Sequence, residues 1–228
     1  MTRLRGATIA FDLDGTLVDT APDLVGALNM VLADQGLQPV PYETARVMVG
    51  RGAKVLIERG YAATGIPLPE DLAPVLFSQF IDLYLARIAQ ESRPFEGVEA
   101  TLDELVAEGA KLVICTNKRT DLSLALLDAL DLTRRFTAVI GADKAPAAKP
   151  DGRHLSFAIE AGGGGGHRAL MVGDSATDVG AARNAGVPVV VTSFGYTDIP
   201  PGGLGADAMI DHYAELPGLV RRMLGGGQ

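Results

Sequence analysis

One cysteine, Cys115, stands in a chain of 228 residues, so no internal disulfide can form and cohesion has to come from apolar packing. Its position at the end of an apolar run predicts a packed thiol rather than a nucleophile, and a chain without disulfides suits a reducing cytoplasm. No apolar segment approaches the roughly 18 residues that span a bilayer. Met1-Thr2-Arg3-Leu4-Arg5 leads directly into a strand-like run, so neither a membrane anchor nor a cleaved export signal is expected. Positive charge is scarce: 28 Asp and Glu against 20 Lys and Arg give a net charge of −8, which excludes a global basic surface for nucleic acid or an anionic membrane. An anionic substrate has to be drawn in locally, by a metal and a few cations. Gly162 to Gly166 are consecutive glycines, but no Lys-Ser or Lys-Thr pair follows them, so a phosphate-binding loop of that type is missing. The run reads as a flexible connector from a helix to a strand, and Gly225-Gly226-Gly227 as a frayed tail.

With 47% hydrophobic residues the chain is able to bury a full core, as one large domain or one domain carrying an insertion. Strand-like runs occur at Thr8 to Phe11, Leu112 to Cys115, Thr137 to Ile140, Ala169 to Val172 and Pro188 to Val191. Helical patterns after each of the last four predict an α/β fold, a doubly wound parallel sheet covered by helices. The separation between the first two runs far exceeds an ordinary connection, and an inserted module is expected there. From Thr20 to about Ser92 the pattern is helical, with Leu24, Leu28 and Val31 on one face and Leu76, Phe80, Leu83 and Tyr84 on another. Thr20-Ala21-Pro22-Asp23 fits a helix start with Asp23 as its cap.

The polar residues gather where the strands end. Ile9-Ala10-Phe11-Asp12-Leu13-Asp14-Gly15-Thr16 is an apolar run opening into two carboxylates, with Gly15 permitting a sharp turn. Lys111 to Cys115 ends in Thr116 and Asn117, Ala148-Lys149-Pro150-Asp151 sets a lysine ahead of a helix, and Ala169 to Val172 discharges into Gly173-Asp174-Ser175-Ala176-Thr177-Asp178. Aspartates after an apolar run are most often turn or capping residues, and an isolated lysine is most often solvated. In parallel sheets, however, ligands bind at the carboxyl ends of the strands, and all four segments fall there. Converging carboxylates suit a divalent metal and phosphoryl chemistry, and an all-oxygen site with few protein ligands favours Mg²⁺.

Taken in order, Asp12-x-Asp14-Gly15-Thr16, Thr116, Lys149 and Gly173-Asp174 with Asp178 resemble the four motifs of the haloacid dehalogenase superfamily of phosphatases. The resemblance covers most of the chain. It implies a core of residues 1–19 and 93–228 and a helical cap of residues 20–92, with Arg93 to Val98 as the re-entry into the core. It makes Asp12 the nucleophile that forms an aspartyl phosphate, and Asp14 the acid and later the base. To act first as an acid Asp14 has to carry a proton, which repulsion from Asp12 and Asp174 would favour. Asp12, Asp174 and the Asp14 backbone carbonyl are the implied metal ligands. Thr116 and Lys149 are expected to hold and neutralise the phosphoryl group, with Gly15 and Asn117 in support. For Asp178 two roles stay open: holding a metal-bound water, or closing a capping box with Ser175.

Within the superfamily the second aspartate, Asp14, argues against a dehalogenase, because a departing halide needs no proton. Sugar-phosphate mutases of the family carry a histidine at the position of Leu24 and a Ser-Arg pair where this chain has Gly52-Ala53, so a mutase is disfavoured. Arg46-Val47-Met48-Val49-Gly50-Arg51-Gly52-Ala53 resembles the cap loop of phosphoglycolate phosphatases. It implies 2-phosphoglycolate as substrate, with Arg51 meeting its carboxylate or standing exposed in a turn. Other small sugar phosphates and nucleoside monophosphates are the alternative. A phosphoryl-receiving signalling module is opposed by the chain length and by an acceptor on the first strand. The expected partner is a small phosphorylated metabolite.

Overall fold

The computed structural model describes residues 3–165 and 168–225. Gly166 of the glycine run and Gly226 and Gly227 of the tail lie outside the described residues. Along the chain the elements are β1 (Thr8–Phe11), β2 (Val18–Asp19), α1 (Ala21–Asp34), α2 (Tyr42–Arg46), α3 (Ala53–Ala63), α4 (Ala73–Leu85), β3 (Arg93–Pro94), α5 (Val98–Ala107), β4 (Lys111–Thr116) and α6 (Thr120–Ala129). There follow β5 (Ala138–Gly141), α7 (Gly152–Ala161), β6 (Ala169–Gly173), α8 (Ala176–Ala185), β7 (Val189–Thr192), β8 (Ala208–Ile210) and α9 (Leu216–Leu224). Among the described residues no helix is long and apolar enough to cross a membrane.

Six strands form one sheet in the order β5-β4-β1-β6-β7-β8, and every neighbouring pair is parallel. Helices cover both faces, so the strands read as continuous apolar runs rather than as alternations. The alternation survives in which layer each residue enters. Ile9 and Phe11, with Leu112, Ile114, Leu170 and Val172, pack against α5 and α9 through Leu102, Leu105 and Val220. Ala10, Val113, Cys115, Met171, Val189 and Val191 enter the opposite layer with Leu155, Ile159 and Val179 of α7 and α8. Cys115 is a buried thiol, pushed up to about 12 by that burial, and is core rather than nucleophile.

Connectivity fixes where a ligand can bind. From β1 the sheet grows outward through β4 and β5 on one side and through β6, β7 and β8 on the other. The crevice at such a reversal opens beyond the carboxyl ends of β1, β4 and β6.

In the core, two expectations differ from what is found. The helix expected after β7 does not form; the chain passes through a short 3-10 turn at Pro201–Gly203 and then adds β8 at the sheet edge. Pro200 and Pro201 and the glycines around them deny a helix its amide donors and its rigidity. Nor is the start of the glycine run a mere connector: Gly162, Gly163 and Gly164 donate back to Ala158, Glu160 and Ile159 and close the end of α7.

Between β2 and β3, α1, α3 and α4 bury a separate cluster including Leu24, Leu28, Val31, Leu56, Ile57, Leu76, Phe80 and Tyr84. The spacing within α1 puts its apolar side chains on one stripe. The outgoing and returning chains pair antiparallel, Val18 with Pro94 and Asp19 with Arg93. Asp23 caps nothing; Oδ2 instead accepts from the Ser92 hydroxyl (2.7 Å), the Ser92 amide (2.8 Å) and the Glu91 amide (3.0 Å) of the returning chain. Burial alone would raise its pKa, but these bonds hold it below the usual carboxylate value. Thr20, at the start of α1, turns its hydroxyl to Asp14 Oδ1 (2.8 Å) instead of to the helix.

On α7, His154 is fully buried and its Nε2–H donates to the Ile140 carbonyl at 3.2 Å. Burial, with the charge of Lys149, lowers its pKa from 6.5 to about 4. The unfolded chain therefore takes up this proton first, and stability is lost as pH falls from about 6.5 towards 4. Melting curves across that window should show His154→Phe losing less stability than the wild type, the difference reaching at most about 3 kcal/mol.

Candidate active site

β1 stops at Phe11, but the Asp12 amide still donates to the Val172 carbonyl at 2.9 Å, which fixes the first acid against β6. The chain then coils tightly, the Leu13 carbonyl accepting from the amides of Thr16, Leu17 and Val18. Gly15 has φ +81°, and a Cβ there would lie 2.6 Å from Asp174 Oδ2 and 2.7 Å from the Tyr196 ring. Only glycine takes this turn and leaves that space. The Thr16 hydroxyl donates to Asp174 Oδ1 (2.9 Å) and the Tyr196 amide to Oδ2 (2.6 Å), which orients the acid at the end of β6.

Lys149 reaches the same point from the loop before α7. Its Nζ lies 3.0 Å from Asp12 Oδ1 and 2.6 Å from Asp178 Oδ1, and the side chain is buried. Burial would lower its pKa, but Asp12 and Asp178 outweigh that and hold it above the usual lysine value. Asn117 aligns the lysine: its Oδ1 accepts from the Lys149 amide (2.9 Å) and its Nδ2 donates to the Lys149 carbonyl (3.2 Å). Thr116 ends β4 and is buried beside this junction. The capping box at α8 is present: Asp178 Oδ2 accepts from the Ser175 amide (3.0 Å) and hydroxyl (2.7 Å). Asp178 thus caps a helix with one oxygen and pairs with Lys149 through the other.

Asp12, Asp174 and Asp178 each bring a carboxylate oxygen within 4.8 Å of the others, all buried. The Lys149 ammonium pairs with two of these three carboxylates, Asp12 and Asp178. Burial raises Asp12 to about 6, with Lys149 pulling it down and Asp178 and Asp14 pushing it up. Burial and the charges of Asp178 and Asp12 hold Asp174 well above the usual carboxylate range. Lys149 lies close to Asp12 Oδ1 but outside hydrogen-bonding geometry, so this buried oxygen has no hydrogen-bond partner among the described residues. Excess negative charge with an unsatisfied oxygen fits a small hard cation.

Asp14 has different neighbours. The Lys118 ammonium stands 3.0 and 3.1 Å from its two oxygens. This ion pair opposes the repulsion expected at Asp14 from Asp12 and Asp174. Beyond Asp14 a cavity of about 360 Å³ opens between the α1–α4 segment and the sheet, lined among others by Leu24, Arg51, Tyr84, Lys118 and Leu122. Arg51 stands exposed on this wall and makes no hydrogen bond or ion pair to any of the acids. Its loop comes close to the sheet because a Cβ on Gly52 would already be 3.2 Å from the Asn117 carbonyl.

The structure brings Asp12, Asp14, Gly15, Thr116, Asn117, Lys149, Asp174 and Asp178 to one edge and leaves Arg51 at its periphery. Lys118 and Tyr196 are additions, while Thr16 of the first motif and Thr20 hydrogen-bond Asp174 and Asp14. Lys118 directly follows the Thr116-Asn117 pair, but nothing in its spacing separates it from a solvated lysine. The Tyr196 hydroxyl accepts from the Ala21 amide (2.9 Å) and donates to Asp19, a role set by an irregular loop that carries no periodic signal.

The family profile of the haloacid dehalogenase-like hydrolases matches residues 9–192. The phosphoglycolate phosphatase of Caulobacter vibrioides is 62% identical over 94% of this chain and 90% of its own length. That of Agrobacterium fabrum is 46% identical over 95% and 94%. A crystal structure described as a predicted phosphoglycolate phosphatase from Haemophilus somnus superposes with a TM-score of 0.87 at 31% identity, covering 96% of this chain and 99% of that one. The parallel sheet, the acids at the ends of β1 and β6 and these matches agree: the chain belongs to the haloacid dehalogenase-like hydrolases, as an enzyme of the phosphatase kind similar to phosphoglycolate phosphatases.

Proposed function

We propose that the chain is a Mg²⁺-dependent phosphomonoester hydrolase that works through an aspartyl phosphate on Asp12 and converts 2-phosphoglycolate to glycolate and phosphate. The observation that carries the reading is the buried set of Asp12, Asp174 and Asp178, in which the Lys149 ammonium pairs with Asp12 and Asp178. Alone, such a set repels a phosphate dianion; with a divalent cation it becomes a receptor for one. Asp12, Asp174 and the backbone carbonyl of Asp14 would hold the ion, with Asp178 behind them. When bound, Mg²⁺ supplies charge neutralisation for the carboxylates and the phosphoryl oxygens.

In this reading an Asp12 oxygen attacks phosphorus as the bond to the ester oxygen breaks, and Asp14 gives its proton to that oxygen. Thr116 donates its hydroxyl to a phosphoryl oxygen, and Lys149 neutralises charge that develops in transfer. Water then attacks the acyl phosphate, with Asp14 taking back a proton, and phosphate leaves. We assign residues 20–92 to a cap that excludes bulk water during both steps, and residues 1–19 and 93–228 to the core. Arg51, on the cap side of the cavity, is assigned to the substrate carboxylate. A cavity of about 360 Å³ suits a small leaving group, and it also admits a sugar phosphate, the alternative within the same chemistry.

Phosphate release should be measured with and without Mg²⁺ across 2-phosphoglycolate, sugar phosphates and nucleoside monophosphates. The expected result is selective release from 2-phosphoglycolate that chelation abolishes and that Asp12→Asn lowers at least about a thousandfold. Selectivity for another ester, still dependent on Asp12, would replace the substrate and keep the chemistry. Arg51→Ala should lower the preference for 2-phosphoglycolate over a phosphoester with a neutral tail about fivefold, as fits an exposed charge contact; an unchanged preference would remove Arg51 from the site.

A further inference from the structure

Four cations line the cavity: Arg51, Lys54, Lys118 and Arg119. Three of them are exposed, and only Lys118, 7% accessible, is buried. Arg119 is already held by Asp121 through two hydrogen bonds, at 3.0 and 2.8 Å. Lys54 lies over the Phe77 ring, 5.5 Å from its centroid. Lys118 faces Asp14 on one side, and on another its Nζ sits 4.4 Å from the ring centroid of Tyr84.

Tyr84 is the second observation. It lies in the last turn of α4 with no accessible surface, and its hydroxyl, beside the Lys118 ammonium, finds no acceptor among the described residues. A buried phenol without a partner is destabilising unless a ligand completes it. Burial pushes this phenol up to about 12, against the pull of Lys118, so it stays a donor at neutral pH. The rest of the wall near it is apolar, from Leu24, Leu56, Phe77, Phe80 and Leu122. A buried ammonium and an unpaired hydroxyl donor in an apolar wall match a small anion on a short carbon chain.

We propose that Lys118 and Tyr84 form the leaving-group subsite, which takes the carboxylate of a phosphoester of a short hydroxy acid, with Lys118 exchanging Asp14 for that carboxylate as substrate enters. This rests on the phosphatase reading above and adds to Arg51, on the exposed side of the cavity, two buried groups that meet the same carboxylate. The exchange explains why the site carries a buried cation against Asp14: Lys118 holds Asp14 in place before substrate arrives and leaves it when a better-placed carboxylate is present. A phosphoester with a neutral tail offers Lys118 no replacement for Asp14.

The test compares kcat/KM for 2-phosphoglycolate and for 2-hydroxyethyl phosphate, which keeps the two-carbon chain and lacks the carboxylate. In Lys118→Met the ratio should fall about tenfold or more, as expected for losing a charged hydrogen bond. An equal fall for both esters would mean that Lys118 serves Asp14 alone and would overturn the proposal. Calorimetric titration with glycolate reads the subsite independently of turnover. The wild type should bind glycolate, and Tyr84→Phe, which removes one oxygen and keeps the ring, should bind it about threefold or more weakly with melting temperature unreduced. Equal affinity in the two proteins, or no glycolate binding by the wild type, would overturn the subsite even if Lys118→Met fails to fold. Absence of phosphate release from both esters in the wild type, with glycolate still bound, would instead remove the phosphatase reading and leave the anion subsite standing.

Discussion

The structure turns on one electrostatic constraint: Asp12, Asp174 and Asp178 are buried together, and the Lys149 ammonium pairs with only two of them. Buried carboxylates of this density are unfavourable by themselves. The surroundings are built to tolerate them. The Asp12 amide is tied to β6, Thr16 and the Tyr196 amide occupy both oxygens of Asp174, and the α8 capping box occupies one oxygen of Asp178. What these bonds leave open is the excess negative charge, which a divalent cation would balance. The sheet order serves this arrangement, because only the reversal at β1 sets the ends of β1, β4 and β6 side by side.

The α1–α4 segment is joined to that site through side chains as well as through its two connecting chains. Asp23 of α1 binds the returning chain at Glu91 and Ser92. Tyr196 links the start of α1 to Asp174, since its hydroxyl accepts from the Ala21 amide while its own amide donates to the acid. Arg46 donates to the Phe194 carbonyl and lies over the Tyr196 ring, 4.9 Å from its centroid. One tyrosine thus touches both the start of α1 and the Asp174 carboxylate, a direct contact between the helices over the cavity and the buried acids.

Much of this was legible in the sequence, because buried parallel strands are short apolar runs and chemistry in such folds sits just past their ends. Asp12, Lys149 and Asp174 could be found from that rule and from the family resemblance. The edge strand Ala208–Ile210 was not, since three residues carry too little pattern. Asp23 looked like a cap because aspartate near a helix start usually is one; its partners at Glu91 and Ser92 are distant in sequence, and only the fold brings them near. Lys118 was missed for the same reason in electrostatic form: the repulsion assigned to Asp14 counted the acids nearby in the motifs and not a cation delivered by another loop. The capping box at Ser175 and Asp178 was readable because both partners are local.

The central claim is that Asp12 becomes phosphorylated. Turnover of 2-phosphoglycolate quenched at short times, followed by borohydride reduction of any acyl phosphate and peptide mass spectrometry, reads this directly. The account predicts conversion of residue 12 to the corresponding alcohol, dependent on substrate and Mg²⁺ and with Asp14, Asp174 and Asp178 unmodified. Phosphate release at the full rate with residue 12 unmodified, or modification at another carboxylate, would contradict it.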